Sequence, residues 1–216
     1  MVKVKICGVT SERDVKAAVE AGVDSLGFVV KTPSSPRNLS MSRAQELLSF
    51  VPEHVDKVAV SVFNSIEEIR EIAYSLRVDQ LQLHGDVERI LYYTPEIRSI
   101  NLNCVLAVNG RSPHALKLSL ECSQRFGSVL LDTGGLDGLG GTGVSHDWAL
   151  SRKIRDAITP IPLILAGGLT PENVAKAIRM VKPYGVDVSS GVEEKPGVKD
   201  RMKMRRFIAE AKEARP

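Results

Sequence analysis

Short apolar runs alternate along this chain with stretches whose apolar residues follow a helical period. The runs read as strands at Val2–Cys7, Ser25–Val30, Lys57–Val62, Gln80–His84, Leu102–Val108, Ser128–Asp132, Pro162–Ala166 and Val186–Ser189. Between them, apolar residues recur at i, i+3, i+4 and i+7, as in Ala44/Leu47/Leu48/Val51, Ile69/Ile72/Ala73/Leu76, Val174/Ala177/Ile178/Val181 and Met204/Phe207/Ile208/Ala211. That spacing gives a helix one buried stripe. Ser42-x-x-Gln45 and Ser65-x-x-Glu68 read as capping boxes, Thr170-Pro171 as an N-cap with proline at the first helical position, and a helix is expected to begin near Ser11. The segment from Arg111 to Gln124 carries the weakest helical pattern. A Val-Asp pair recurs at Val23-Asp24, Val78-Asp79 and Val186-Asp187, a faint internal repeat. Eight alternating units predict an α/β fold, a single (β/α)8 barrel domain over 1–216. An open doubly wound sheet is the alternative.

Composition narrows this picture. The 216 residues allow about 27 per unit, enough for one strand, one helix and tight loops. Hydrophobic residues make up 43% of the chain, sufficient for a sizeable core. The net charge is only +3 and the basic residues are dispersed, so no nucleic-acid footprint is expected. Three cysteines (Cys7, Cys104, Cys122) form no CxxC, and an odd number argues against a disulfide framework. The four histidines lack metal-ligand spacing, so no metal site is expected. Without a signal-like segment after Met1 or a long apolar run, the expectation is a cytoplasmic protein with no membrane partner.

Two glycine-rich turns then suggest a ligand. Ala166-Gly167-Gly168-Leu169 and Val188-Ser189-Ser190-Gly191 each follow a strand, and a helical pattern separates them. Glycines at such positions let backbone N–H groups face an anion. Cradles after strands 7 and 8 are where barrels bind phosphate. The string Gly138-Leu-Gly140-Gly141-Thr142-Gly143 matches G-x-G-x-x-G, but it does not directly follow a strand, and no acid-ended second strand follows at the proper distance. A loop that folds over a ligand is the better reading.

Alternation assigns the inward faces. Val2, Val4 and Ile6 share one side of the first strand, so Lys3, Lys5 and Cys7 share the other. Gln80, Gln82 and His84 alternate with Leu81 and Leu83, and Asp187 and Ser189 with Val186 and Val188. With the apolar sets against the helices, the barrel interior becomes polar. Lys5 is expected to pair with Asp187, since burying either charge alone is costly; the other reading has Asp187 reach the substrate. Cys7 ends the first strand at the rim where barrel active sites are built, although most lone cysteines are inert. Its thiol needs nearby positive charge or a helix N-terminus to act as a base, and the helix near Ser11 is a candidate. Asp132 ends the sixth strand ahead of the glycine loop and is a candidate acid; a helix cap is its bland role. Arg37, in Ser35-Pro36-Arg37, could clamp a carboxylate or simply be solvated. His84 is either a rim ligand or a satisfied inner-wall histidine. The basic run from Lys199 to Arg206 reads as the solvated face of the last helix.

Taken together, Lys5-Ile-Cys7-Gly8, Ser35-Pro36-Arg37, Gln82-Leu-His84-Gly85, Leu131-Asp132, Gly140-Gly141-Thr142-Gly143 with Asp147-Trp148, Ala166-Gly167-Gly168-Leu169 and Val188-Ser189-Ser190-Gly191-Val192-Glu193 resemble the phosphoribosylanthranilate isomerase family, in family order. The resemblance implies an Amadori rearrangement of a phosphoribosyl substrate in tryptophan biosynthesis, without cofactor or metal. It implies Cys7 as general base, Asp132 as general acid and Arg37 as the contact for the anthranilate carboxylate. The phosphate would fall to Gly167, Gly168, Ser189, Ser190 and Gly191, with His84 and Asp187 as further substrate-binding candidates. A homodimer is left open. The histidine-pathway sugar isomerase runs the same rearrangement with two aspartates, and Cys7 in place of the first argues against it. Indole-glycerol-phosphate synthase needs lysines at strand ends, and Lys5 lies one layer too deep. A non-catalytic phosphosugar sensor would have no need for both Cys7 and Asp132.

Overall fold

The computed structural model describes residues 1–133 and 147–214. The glycine string at 138–143, and the ligand-covering role expected of it, lie outside the described residues. Eight parallel strands are present: β1 (Lys3–Cys7), β2 (Ser25–Val30), β3 (Asp56–Val62), β4 (Gln80–His84), β5 (Asn103–Asn109), β6 (Ser128–Asp132), β7 (Leu163–Leu165) and β8 (Gly185–Val188). Each pairs with its neighbours in chain order, and β1 pairs with both β2 and β8. The sheet is therefore a closed barrel, not the open alternative. Around it lie α1 (Glu12–Glu20), α2 (Met41–Leu48), α3 (Ile66–Ser75), α4 (Val87–Tyr92), α5 (Thr94–Arg98), α6 (Ala115–Ser123), α7 (Trp148–Ile158), α8 (Val174–Val181) and α9 (Arg201–Glu213). None of these helices is long and apolar enough to cross a membrane.

Local chemistry sets most of the helix starts. Ser11 accepts from the Asp14 N–H ahead of α1, and Ser65 accepts from the Glu68 N–H ahead of α3. Two expectations shift. Ser40, not Ser42, caps α2 by accepting from Arg43 N–H at 3.2 Å. The leucine stripe is compatible with either serine, and only the turn out of the short edge strand Asn38–Leu39 selects between them. Nor does Thr170-Pro171 open α8, which begins at Val174. Instead the Thr170 N–H donates to Asn173 Oδ1 at 2.8 Å, and Asn173 Nδ2 donates to the Gly168 carbonyl at 2.9 Å. Those residues tie the glycine turn to the helix.

The Val-Asp repeat has a physical basis at two of its three sites. Asp24, just before β2, accepts the Val4 N–H of β1 at 2.9 Å, and Asp79, just before β4, accepts the Lys57 N–H of β3 at 2.8 Å. Each acid braces the start of the preceding strand. Asp187 lies within β8 and does something else.

Side-chain alternation divides the core into layers. Val4, Ile6, Leu26, Phe28, Leu81 and Leu83 pack outward, in one layer with the helix residues Ile69, Ile178 and Phe207. Two smaller apolar clusters fill the barrel: Cys7, Val29, Val58 and Val60, and on the other side Val105, Ala107, Leu130 and Ala166 with Ile164. The charged pair belongs to this interior. The β1–β8 register places Lys5 beside Asp187, and Lys5 Nζ donates to Asp187 Oδ2 at 3.0 Å with both residues buried. Burial alone would pull the Lys5 ammonium down, but the Asp187 carboxylate outweighs it and holds Lys5 above the ordinary lysine range.

Removing one partner of such a pair leaves a buried charge without compensation, which costs about 3–5 kcal/mol. We therefore expect Lys5→Met to lower unfolding stability by about that amount in urea titration, and Lys5→Met/Asp187→Leu to recover most of it. A single variant as stable as the parent would show that the pair contributes nothing.

Candidate active site

The C-terminal ends of the strands open onto one cavity, and every residue singled out above lines it: Cys7, Arg37, His84, Asp132, Gly167, Gly168, Asp187, Ser189, Ser190 and Gly191. Strand ends deliver Cys7, His84 and Asp132. Asp187 comes from within β8, and the loops after β2, β7 and β8 deliver the others.

Cys7 closes β1 and is buried. A Cβ built on Gly27 would stand 3.0 Å from both Cys7 Sγ and Lys5 Nζ, so thiol and ammonium lie side by side over bare backbone. Burial pushes the thiol above its ordinary range, against the opposing pull of the Lys5 charge. The helper expected from the start of α1 is thus replaced by Lys5. Asp132 closes β6, and its Oδ1 accepts the Thr133 N–H at 2.7 Å. The residue lies on the cavity wall.

His84 touches both alternatives weighed for it. It lines the cavity, and Gln82 Nε2 donates to its Nε2 at 2.8 Å, which assigns the ring proton to Nδ1. Burial holds its pKa below the ordinary histidine range, with the Asp132 charge opposing. Asp187 gives Oδ2 to Lys5, while its Oδ1 is buried and makes no hydrogen bond. An acceptor of that kind in a cavity wall suits a hydroxyl donor on a ligand.

Backbone forms the cradle. Gly167 and Gly168 have φ of +80° and +65°, left-handed values that glycine takes without strain. After β8 the chain makes one 3-10 turn, Ser190–Val192. A Cβ on Gly191 would overlap the Leu169 carbonyl, so only glycine lets the two turns meet.

Arg37 is buried and is not a solvated loop residue. Its Nε and Nη2 donate to the two carboxylate oxygens of Glu193, each at 2.7 Å. Lys199 completes the group by donating to Glu193 Oε1 at 2.8 Å. This corrects the reading of the basic run: Lys199 precedes α9, and its side chain is 0% exposed. Burial raises the Glu193 carboxyl, but the Arg37 hydrogen bonds and the Lys199 charge outweigh it and hold the group below the usual range. Sequence alone gives Glu193 no role and reads Lys199 as solvated. The available signal was Pro196-Gly197, a turn dipeptide that predicts a hairpin between them.

A closed barrel with a glycine cradle after its last two strands, and with ionisable groups on the same rim, defines a (β/α)8 enzyme of phosphorylated small molecules. The comparisons make this specific. The profile of the N-(5'-phosphoribosyl)anthranilate (PRA) isomerase family matches residues 4–210. The N-(5'-phosphoribosyl)anthranilate isomerase of Trichlorobacter lovleyi is 43% identical over 215 residues, 99% of this chain and 100% of that one. The crystal structure of phosphoribosyl anthranilate isomerase from Thermotoga maritima superposes with a TM-score of 0.86 at 37% identity, covering 98% of this chain and 99% of that one. A phosphoribosyl anthranilate isomerase structure in complex with reduced 1-(o-carboxyphenylamino)-1-deoxyribulose 5-phosphate matches at a TM-score of 0.83 and 36% identity, over 98% of this chain and 99% of that one. The chain belongs to the PRA isomerase family.

The state of the thiols is directly measurable. Burial lifts Cys7 above its ordinary range and pushes Cys104 and Cys122 up to about 12. We expect iodoacetamide at pH 7–9, followed by peptide mass mapping, to label all three more slowly than free cysteine, whose pKa is about 8.5. Fast labelling of Cys7 at pH 7 would show a preformed thiolate.

Proposed function

We propose that this cavity binds N-(5'-phosphoribosyl)anthranilate and converts it to 1-(2-carboxyphenylamino)-1-deoxyribulose 5-phosphate, the isomerisation of tryptophan biosynthesis, with Asp132 as general acid and Cys7 as general base. The observation that carries the assignment is that a carboxyl group from β6 and a thiol from β1 line one cavity between a glycine cradle and a fixed guanidinium. The cradle of Gly167, Gly168, Ser189, Ser190 and Gly191 takes the phosphate. Arg37 takes the anthranilate carboxylate, and Asp187 Oδ1 and His84 meet sugar hydroxyls.

The chemistry follows from these placements. Asp132 gives a proton to the furanose ring oxygen as the C1–O bond breaks, and the amine lone pair forms an iminium at C1. That cation acidifies the C2 proton, which Cys7 removes. The electron pair flows to nitrogen and yields an enolamine. Tautomerisation places a proton on C1, releases the one on the C2 oxygen and gives the ketone. Each positioned group supplies about 10²–10⁴-fold. Binding at the two anionic ends, away from the reacting carbons, provides orientation.

Cys7→Ser and Asp132→Asn are each expected to lower turnover by about 10²-fold or more without changing the circular dichroism spectrum. The assay is loss of anthranilate-ring fluorescence after adding fresh phosphoribosylanthranilate. Near-normal turnover in Asp132→Asn would refute the acid assignment.

A pH profile tests the pair as a unit. The reacting arrangement carries one proton on the two groups, seated on Asp132, and the same proton on the thiol is one transfer away. Activity is therefore lost on the alkaline side only when that last proton leaves, as pH passes the Cys7 value. Burial raises this value, so the alkaline limb of kcat/KM is expected above pH ~8.5. A limb centred below about pH 8 would contradict the assignment.

A further inference from the structure

The Arg37–Glu193–Lys199 cluster is more than a clamp for one side chain. Glu193 and Lys199 stand on the two strands of an antiparallel hairpin, Glu193–Lys195 and Val198–Lys199, joined by Pro196-Gly197. Thr10 Oγ1 donates to the Gly197 carbonyl at 2.6 Å, which pins the turn to the loop after β1. Glu193 Oε1 accepts from both Arg37 Nε and Lys199 Nζ, so one oxygen joins the two cations. Lys199 Nζ also donates to the Ser189 carbonyl at 3.1 Å and to Ser189 Oγ at 3.3 Å. Its three protons are thereby matched by one carboxylate and two atoms of the cradle.

Arg37 and Lys199 share the Glu193 carboxylate, and the buried Asp14 carboxylate also lies within electrostatic reach of Lys199. A buried ion cluster is a poor route to stability, because apolar residues of similar volume do as well. Cations fixed in this way beside a cavity make sense when an anion arrives. Here one cation faces the end of the cavity assigned to a carboxylate, and the other holds the segment assigned to a phosphate.

We infer that Glu193 and Lys199 are positioning residues that couple the two anionic ends of the site. The Glu193 carboxylate sets the direction of the Arg37 guanidinium and, through Lys199, the placement of Ser189 at the edge of the cradle. The inference rests on the assignment of Arg37 to the substrate carboxylate and of Ser189, Ser190 and Gly191 to its phosphate. It adds that neither end is correctly formed without the hairpin between them.

The test uses the full chain with Glu193→Gln, which keeps the volume and removes the charge. Inorganic phosphate and anthranilate serve as separate probes in titration calorimetry, alongside KM and kcat for phosphoribosylanthranilate. The expected result is a KM raised ~10–100-fold with kcat changed by less than about threefold, the pattern of lost uniform binding through a charged hydrogen bond. Both probes should weaken, each by about fivefold or more. Lys199→Met should weaken phosphate by a similar factor, and Glu193→Gln/Lys199→Met should cost less than the product of the two single effects. Weakening of anthranilate alone would overturn the coupling and leave Glu193 as a local support for Arg37. A lower melting temperature with KM and both affinities unchanged would make the cluster purely structural, which also overturns it. If Glu193→Gln does not fold, Glu193→Asp keeps the charge at shorter reach and is held to the same outcomes. The titrations need no turnover. Absence of isomerisation in the parent chain would therefore defeat the functional reading, whereas normal parent turnover with an unaffected Glu193→Gln would defeat only the coupling.

Discussion

The barrel closes where β1 meets β8, and a buried ion pair spans that seam. Closing a parallel sheet around helices makes every strand present one side inward, and the apolar side of β1 is claimed by the helices. Lys5 then has no route to solvent, and its ammonium is tolerable only against Asp187. Much of the site follows from that pairing. It places a positive charge next to the Cys7 thiol, and it leaves Asp187 with one committed oxygen and one buried oxygen without a hydrogen bond.

Charge above the seam is arranged by the same rule. Lys5 meets Asp187, while Arg37 and Lys199 share Glu193 at the two ends of the cavity proposed for the substrate's anions. Arg37 and the cradle that Lys199 contacts at Ser189 form those ends. In the function proposed above, a substrate with a carboxylate and a phosphate at its extremities would span these ends in one orientation, with its middle carbons between Cys7 and Asp132. Burial outweighs the help from Lys5, so the Cys7 thiol gives up its proton less readily than a free cysteine. Its thiolate is correspondingly the stronger base once formed, and in the proposed reaction a cationic intermediate acidifies the proton it would remove.

Sequence reasoning succeeded where the information is local. Every barrel strand falls within one residue of its expected bounds, because runs of apolar residues with period two have few other solutions. Cys7, Asp132 and the glycine turns could be placed because strand ends and glycine-rich turns mark the rim of a barrel. Two helix starts shifted, at Ser40 and Asn173, where several polar residues could each serve and the connecting turn made the choice. Arg37 was seen as a candidate, but its partner was not: Glu193 lies 156 residues away. Lys199 was misread for a related reason. In a run of basic residues nothing local distinguishes the one that faces inward, and only the hairpin turned it under the cradle.

The chain by itself determined the class of fold, the inward and outward faces of each strand, and the rim positions of Cys7 and Asp132. These depend on periodicity and on residues adjacent in sequence, where steric and hydrophobic preferences act over a few bonds. Tertiary structure alone decided which charges meet and which atoms stay free. The partner of Arg37, the burial of Lys199 and the unpaired oxygen of Asp187 depend on through-space contacts between distant segments. Such contacts have strong energetic consequences only after water has been excluded, and water is excluded only once the barrel has closed.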